Sequence, residues 1–124
     1  MSLKKDISAA QEKADLIVKC LNEGIFKPLL LLNPDETMLL LVGNYRTINK
    51  VNRLGILKFF EYCKEKNFKL NLNIQSNLVG NTILICATRT NNKELVKFLI
   101  ENGADKELTD ISGSKAISYS RSDK

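Results

Sequence analysis

Apolar residues at Ala10, Ala14, Ile17, Cys20 and Leu21 recur at three- and four-residue steps, with charged residues between them and Gly24 just beyond. This spacing predicts an amphipathic helix from Ser8 to Asn22, with Ser8 as the N-cap that accepts a bond from a first-turn amide. Pro28 opens a short helical turn through Leu29 to Leu32, and Asn33-Pro34-Asp35-Glu36 reads as a loop. Ile56, Leu57, Phe59, Phe60 and Cys63 mark a second amphipathic helix; Leu95, Val96, Phe98, Leu99 and Ile100 mark a third. Asn92 caps the start of the third, and Gly103 follows its end, where glycine takes the left-handed closing conformation at low steric cost. Between these two helices lies VGNTILICATRTNN, Val79 to Asn92. Its run from Thr82 to Ala87 reads locally as a buried strand holding Cys86.

Self-similarity changes that local reading. Gly80, Thr82, Leu84 and Ala87 are followed by Leu95-Val96, Leu99-Ile100 and Gly103-Ala104-Asp105, and Gly113 comes 33 residues after Gly80. A period of 33 is that of the ankyrin repeat, and GNTILICATRTNNKELVKFLIENGAD resembles that family. It has the glycine, a TPLH-like helix start, a second helix ending in two apolar residues, and a Gly-Ala-Asp exit. In this register Thr82 to about Arg89 is a first helix and Thr90 to Asn92 the turn into the second. After Gly113, Lys115-Ala116-Ile117-Ser118 resembles another first helix. Going backward, Thr37-Met38-Leu39-Leu40 resembles a third such start, but Thr37 and Thr82 are 45 residues apart, 12 more than the period. None of the three sites keeps the family's proline or histidine, so the hydrogen bonds usual for that histidine are missing.

The resemblance implies an all-α fold: a short ankyrin-repeat solenoid with an irregular repeat in the middle. Residues 1–124 are expected to form one domain, divided into an N-terminal helical unit at 1–34, an irregular repeat with insertions at 35–76, a regular repeat at 77–109 and a C-terminal half repeat at 110–124. An unrelated all-helical domain is the structural alternative, because amphipathic helices with glycine stops are common. A mixed fold with 82–87 as a strand leaves the repeated turns unexplained.

Composition narrows the chemistry. The chain has 124 residues, 44% hydrophobic and 27% charged, enough to bury a core without covalent staples. The longest apolar runs, Leu29 to Leu32 and Met38 to Val42, are too short to cross a bilayer, and the first twenty-five residues hold no signal-like core. A cytoplasmic protein in a reducing compartment is expected, without membrane insertion. Cys20, Cys63 and Cys86 are odd in number and lack C-x-x-C spacing, so no disulfide framework, metal site or cofactor is expected. The absence of histidine removes the usual general base. Ser112 to Lys115, SGSK, lacks the phosphate-loop spacing, and Asp35 with Glu36 and Asp105 with Glu107 fall in turns where carboxylates cap or face solvent. No catalytic residue is assigned, and an enzyme ranks last among the function classes.

Charge adds one competing reading. The net charge is +5, and Arg46, Lys50, Arg53, Lys58, Lys64, Lys66 and Lys69 face only Glu61 and Glu65 over their stretch. Region 46–69 could bind nucleic acid or an anionic surface, since clustered cations raise the local potential; it also fits a solvated helix face. The family resemblance instead implies a non-enzymatic protein-interaction module whose partner is another protein, with weak self-association compatible. Contact positions implied by the resemblance are Val79, Asn81, Arg89 and Thr90 in the regular repeat. Glu36, Asn44 and Tyr45 add to them before it, and Ile111, Ser112 and Ser114 after it.

Overall fold

The computed structural model describes residues 3–31, 34–43, 45–77 and 79–120, with side chains described from Gln11 onward except at 34–36, 45 and 46. Helix α1 spans Leu3–Glu23. Ser8 therefore lies within α1 and not at its cap, because the residues before it are able to continue a helix. Gly24, at φ 74°, ends α1, and the Ile25 amide donates back to the Cys20 carbonyl at 2.9 Å. Helix α2 spans Lys27–Leu31 and α3 spans Pro34–Gly43. The expected loop at 33–36 is thus corrected: Pro34 starts α3, at the one helical position where a missing amide hydrogen costs nothing, while Asn33 lies outside the described residues. Helix α4 follows and spans Tyr45–Lys50.

Helices α5 (Arg53–Glu65), α6 (Ile83–Arg89) and α7 (Lys93–Glu101) complete the set, followed by a 3₁₀ turn at Ala116–Tyr119. Among the described residues there is no strand, only an isolated bridge between Thr109 and Lys115. Where a full first helix was expected after Gly113, the chain makes this single turn. Ala116 is its one buried residue, and so little apolar area supports nothing longer.

Two rows result. Helices α1, α5 and α7 pack side by side in an outer row, while α3, α6 and the 3₁₀ turn form an inner one. Helix α6 touches α3, α7 and the 3₁₀ turn, so Ile83, Leu84, Ile85, Cys86 and Ala87 are all buried. A helix enclosed on every side needs no polar stripe, which is why its local pattern mimics a strand. The Thr82 hydroxyl accepts the Ile85 amide at 3.1 Å and fixes its start. Thr37, the supposed counterpart, instead sits three residues inside α3, buried, with its hydroxyl unbonded.

Polar ties join successive units. In the outer row, the Asn22 side chain donates to Lys50 O at 3.0 Å and accepts the Asn52 amide. Asn52 caps α5, and Asn92 both caps α7 and donates across to Arg53 O at 3.3 Å. In the inner row, Asn81 reaches Val42 O at 3.5 Å. The loops preceding α6 and the 3₁₀ turn stack as paired fingers: Ile111 N donates to Val79 O at 2.9 Å, and Gln75 Nε2 bridges Gly80 O at 2.9 Å and Thr109 O at 2.8 Å. Gly80, at φ 72°, is needed here, because a Cβ would meet Asp110 Cα and Ile111 N at 3.1 Å. Asp110 organises the second finger, with Oδ1 accepting the amides of Ser112 and Ser114 and Oδ2 accepting the Tyr119 hydroxyl.

Two expected outcomes follow from these contacts. A Cβ at Gly55 would lie 2.5 Å from the Leu21 carbonyl oxygen, so Gly55→Ala should destabilise the protein by about 1–3 kcal/mol in chemical denaturation, despite alanine's better helix propensity. An unchanged or raised midpoint would show that α1 and α5 do not approach this closely. For Asp110, hydrogen bonds from the Tyr119 and Ser112 hydroxyls and from the Ser114 and Ser112 amides lower the carboxyl pKa from 3.8 to about 2. A depressed carboxyl pKa stabilises the fold above its ordinary value and loses that effect as acid protonates the folded form. The stability advantage of the native chain over Asp110→Asn should therefore be present near neutrality and shrink between about pH 4 and pH 2, as read by melting temperature.

Candidate functional site

The finger-to-finger bond between Val79 and Ile111 sets two apolar tips side by side on the surface, 39% and 77% exposed. Their polar neighbours are committed internally. The Ser112 hydroxyl donates to Asp110 at 2.7 Å and lies 3.2 Å from that of Ser114. Arg89 places its guanidinium 4.7 Å from the centre of the Tyr119 ring, tying α6 to the 3₁₀ turn. Thr90 donates to Cys86 O at 3.0 Å and is half-buried.

Asn81 is only 4% exposed, its amide donates to the Ser76 hydroxyl at 3.0 Å, and its side chain faces the Val42 carbonyl, so it holds the finger to α3. The side chain of Glu36 and the side chain of Tyr45 lie outside the described residues, as do those of Asn44 and Arg46.

The basic residues whose side chains are described divide between several places. Arg53 and Lys64 are 11 residues apart on α5, or about 16 Å at 1.5 Å per residue. Arg53, at the start of the helix, donates to the Asn91 carbonyl, while Lys64 sits 5.9 Å from the Phe98 ring centre. Lys66 lies over Tyr62 at 5.5 Å. Lys58 lines a different depression, with Leu21, Phe26 and Gly55, on the flank toward α1. Lys50 is exposed before α5, and Lys69 is exposed beyond its far end, where it lines one depression together with Lys64, Phe68 and Phe98.

The thiols of Cys63 and Cys86 are buried and held protonated. Burial raises the Cys86 thiol to about 12, against a smaller opposing pull from Arg89, and burial alone raises Cys63 to about 11. Both thiols stay protonated at neutral pH, so neither is an activated nucleophile. All three cysteines are free and buried. Among the described residues no group of three or more His, Cys, Asp or Glu side chains could hold a metal ion. The SGSK turn does gather backbone amides around a negative charge, but that charge is the carboxylate of Asp110. Asp105 caps the Glu107 amide at 2.8 Å, and Glu107 pairs with Lys115 at 2.5 Å.

One feature escaped the sequence reading: an open apolar groove of about 360 Å³ between α6, α7 and the 3₁₀ turn, lined by Leu84, Val96, Ile100 and Ile117. Its signal was present, because Ile117 occupies the same repeat position as the buried Leu84. No described helix is long and apolar enough to cross a membrane.

No curated protein and no solved structure matches the chain. The family model for the ankyrin repeat matches residues 79–111, which span the first finger, α6, α7 and the start of the second finger. These residues carry the Thr82 cap, the left-handed Gly80 and Gly103, and the stacked Val79 and Ile111 tips. The chain therefore carries an ankyrin repeat at residues 79–111.

Proposed function

We propose that this chain is a non-enzymatic protein-interaction module that binds another protein through its finger tips and the adjoining inner helices. The observation that carries the reading is the exposed pair Val79 and Ile111, locked together by a backbone bond. Exposed apolar tips on a rigid scaffold bury area on contact at little conformational cost. The proposed contact set is Val79, Ile111, Ser112, Ser114, Arg89 and Thr90. Glu36, Asn44 and Tyr45 extend it toward the N-terminal end. Ankyrin repeats generally serve protein binding, and the repeat at 79–111 brings that role to this chain. The proposed organisation is an N-terminal unit at 1–34, an irregular repeat at 35–76, a regular repeat at 77–109 and a half repeat at 110–124. The three free buried cysteines suit a cytoplasmic, reducing setting.

The electrostatic alternative loses ground because Arg53 and Lys64 face separate ends of α5 and are already engaged with the protein's own groups. Capture from native extract is the discriminating experiment, using the unaltered chain, Val79→Asp with Ile111→Asp, and Lys50→Glu with Arg53→Glu. The finger variant should lose a specific protein by about tenfold or more, as central apolar contacts do, while the charge variant retains it. Equal capture by the finger variant would sink the reading. Affinity for duplex DNA that falls steeply between about 50 and 200 mM salt would favour the electrostatic one.

A further inference from the structure

Apolar positions that are covered in one unit are exposed at the corresponding places of the unit that follows it. Leu84 is 2% exposed, whereas Ile117, 33 residues later in the same repeat position, is 78% exposed. In the outer row, the caps Asn52 and Asn92 set a 40-residue step that aligns Ile56 with Val96 and Phe60 with Ile100. Ile56 and Phe60 are 3% and 2% exposed, and Phe60 meets the Phe98 ring of α7 at 6.5 Å. Val96 is only half-buried and Ile100 is 41% exposed. The groove of about 360 Å³ is therefore the place alongside α7 that a next helix of the outer row would occupy.

Charge identifies the occupant. Lys93 and Lys97 flank Val96 and Ile100 at three- and four-residue steps, which places them along the edge of the same helix face. Lys106 and Lys115 stand on the opposite rim, with Glu107 bonded to Lys115. Lys106 and Lys115 thus line the trough and Lys93 and Lys97 stand near it on α7, all four exposed, against Glu107 on the rim and Glu101 next to Ile100. A second copy would bring a second set of lysines against the first, which disfavours self-pairing.

We propose that this groove receives an amphipathic helix from a partner protein, with an apolar stripe flanked by acidic residues, laid beside α7. Helix-in-groove recognition uses such a stripe at i, i+3, i+4 and i+7. This surface is separate from the finger tips, so it stands or falls independently of them.

The test uses the full chain and a fluorescein-labelled peptide of about 18 residues built from Leu, Ala and Glu, with leucines on one helical face. Controls are a permuted peptide of the same composition and a version with Lys for Glu. Anisotropy should show saturable binding of the acidic helix, weaker by about tenfold or more for either control and for Ile100→Asp or Ile117→Asp. Both isoleucines are already exposed, so these variants should keep the native melting temperature, and the Val79→Asp, Ile111→Asp chain should bind the peptide normally. No binding, equal binding of the permuted peptide, or indifference to Ile100→Asp would overturn the proposal. So would sedimentation showing a dimer of the unaltered chain that Ile100→Asp dissolves, which would assign the groove to a second copy.

Discussion

Side-chain amides set the register in which successive units stack. Apolar burial draws the rows together but has no preferred direction, so packed helices could slide along one another at modest cost. An amide fixes position because it offers a donor and an acceptor at known places. Asn92 uses both, its oxygen capping α7 and its nitrogen reaching the first turn of α5. Asn22 does the same for the turn between α4 and α5, and Gln75 spans both fingers. The ankyrin family usually places a histidine in its TPLH motif; here Ile85 occupies that position, fully buried, and the fastening has moved to the loops and helix starts.

Sequence reasoning saw the repeat clearly where it depended on backbone geometry. Gly80, Gly103 and Gly113 all adopt positive φ, and Thr82 and Asn92 both cap, so each signal marks a conformation few other residues could supply. Elements specified by long-range contacts were harder to see. Helix α4 has six residues, too few for a periodic pattern. Pro34 fits a loop and a first helical turn equally well until its neighbours are known.

The candidate surfaces divided in the same way. Val79 and Ile111 are loop tips in the repeat register and are exposed as such. Asn81, two residues from Val79, looks equally available in sequence, yet a carbonyl 39 positions away buries it. Arg53, Lys58 and Lys64 are close in sequence but spread along α5 and to different flanks, whereas Lys64 and Lys69 share one depression. The C-terminal groove was readable only by comparing Ile117 with Leu84, a comparison between repeats and not within one.

The amide fasteners between units are electrically neutral, and they work beside charged contacts from Arg53 to the Asn91 carbonyl and from Arg89 to the Tyr119 ring. Asparagine and glutamine do not titrate, and their bonds are not weakened by counterions as ion pairs are. The share of the register that the amides set is therefore insulated from ionic conditions, while the lysines on the outside respond to them fully. A salt effect on complex formation would then report chiefly on the encounter between two surfaces, and only through the arginine contacts on the scaffold itself.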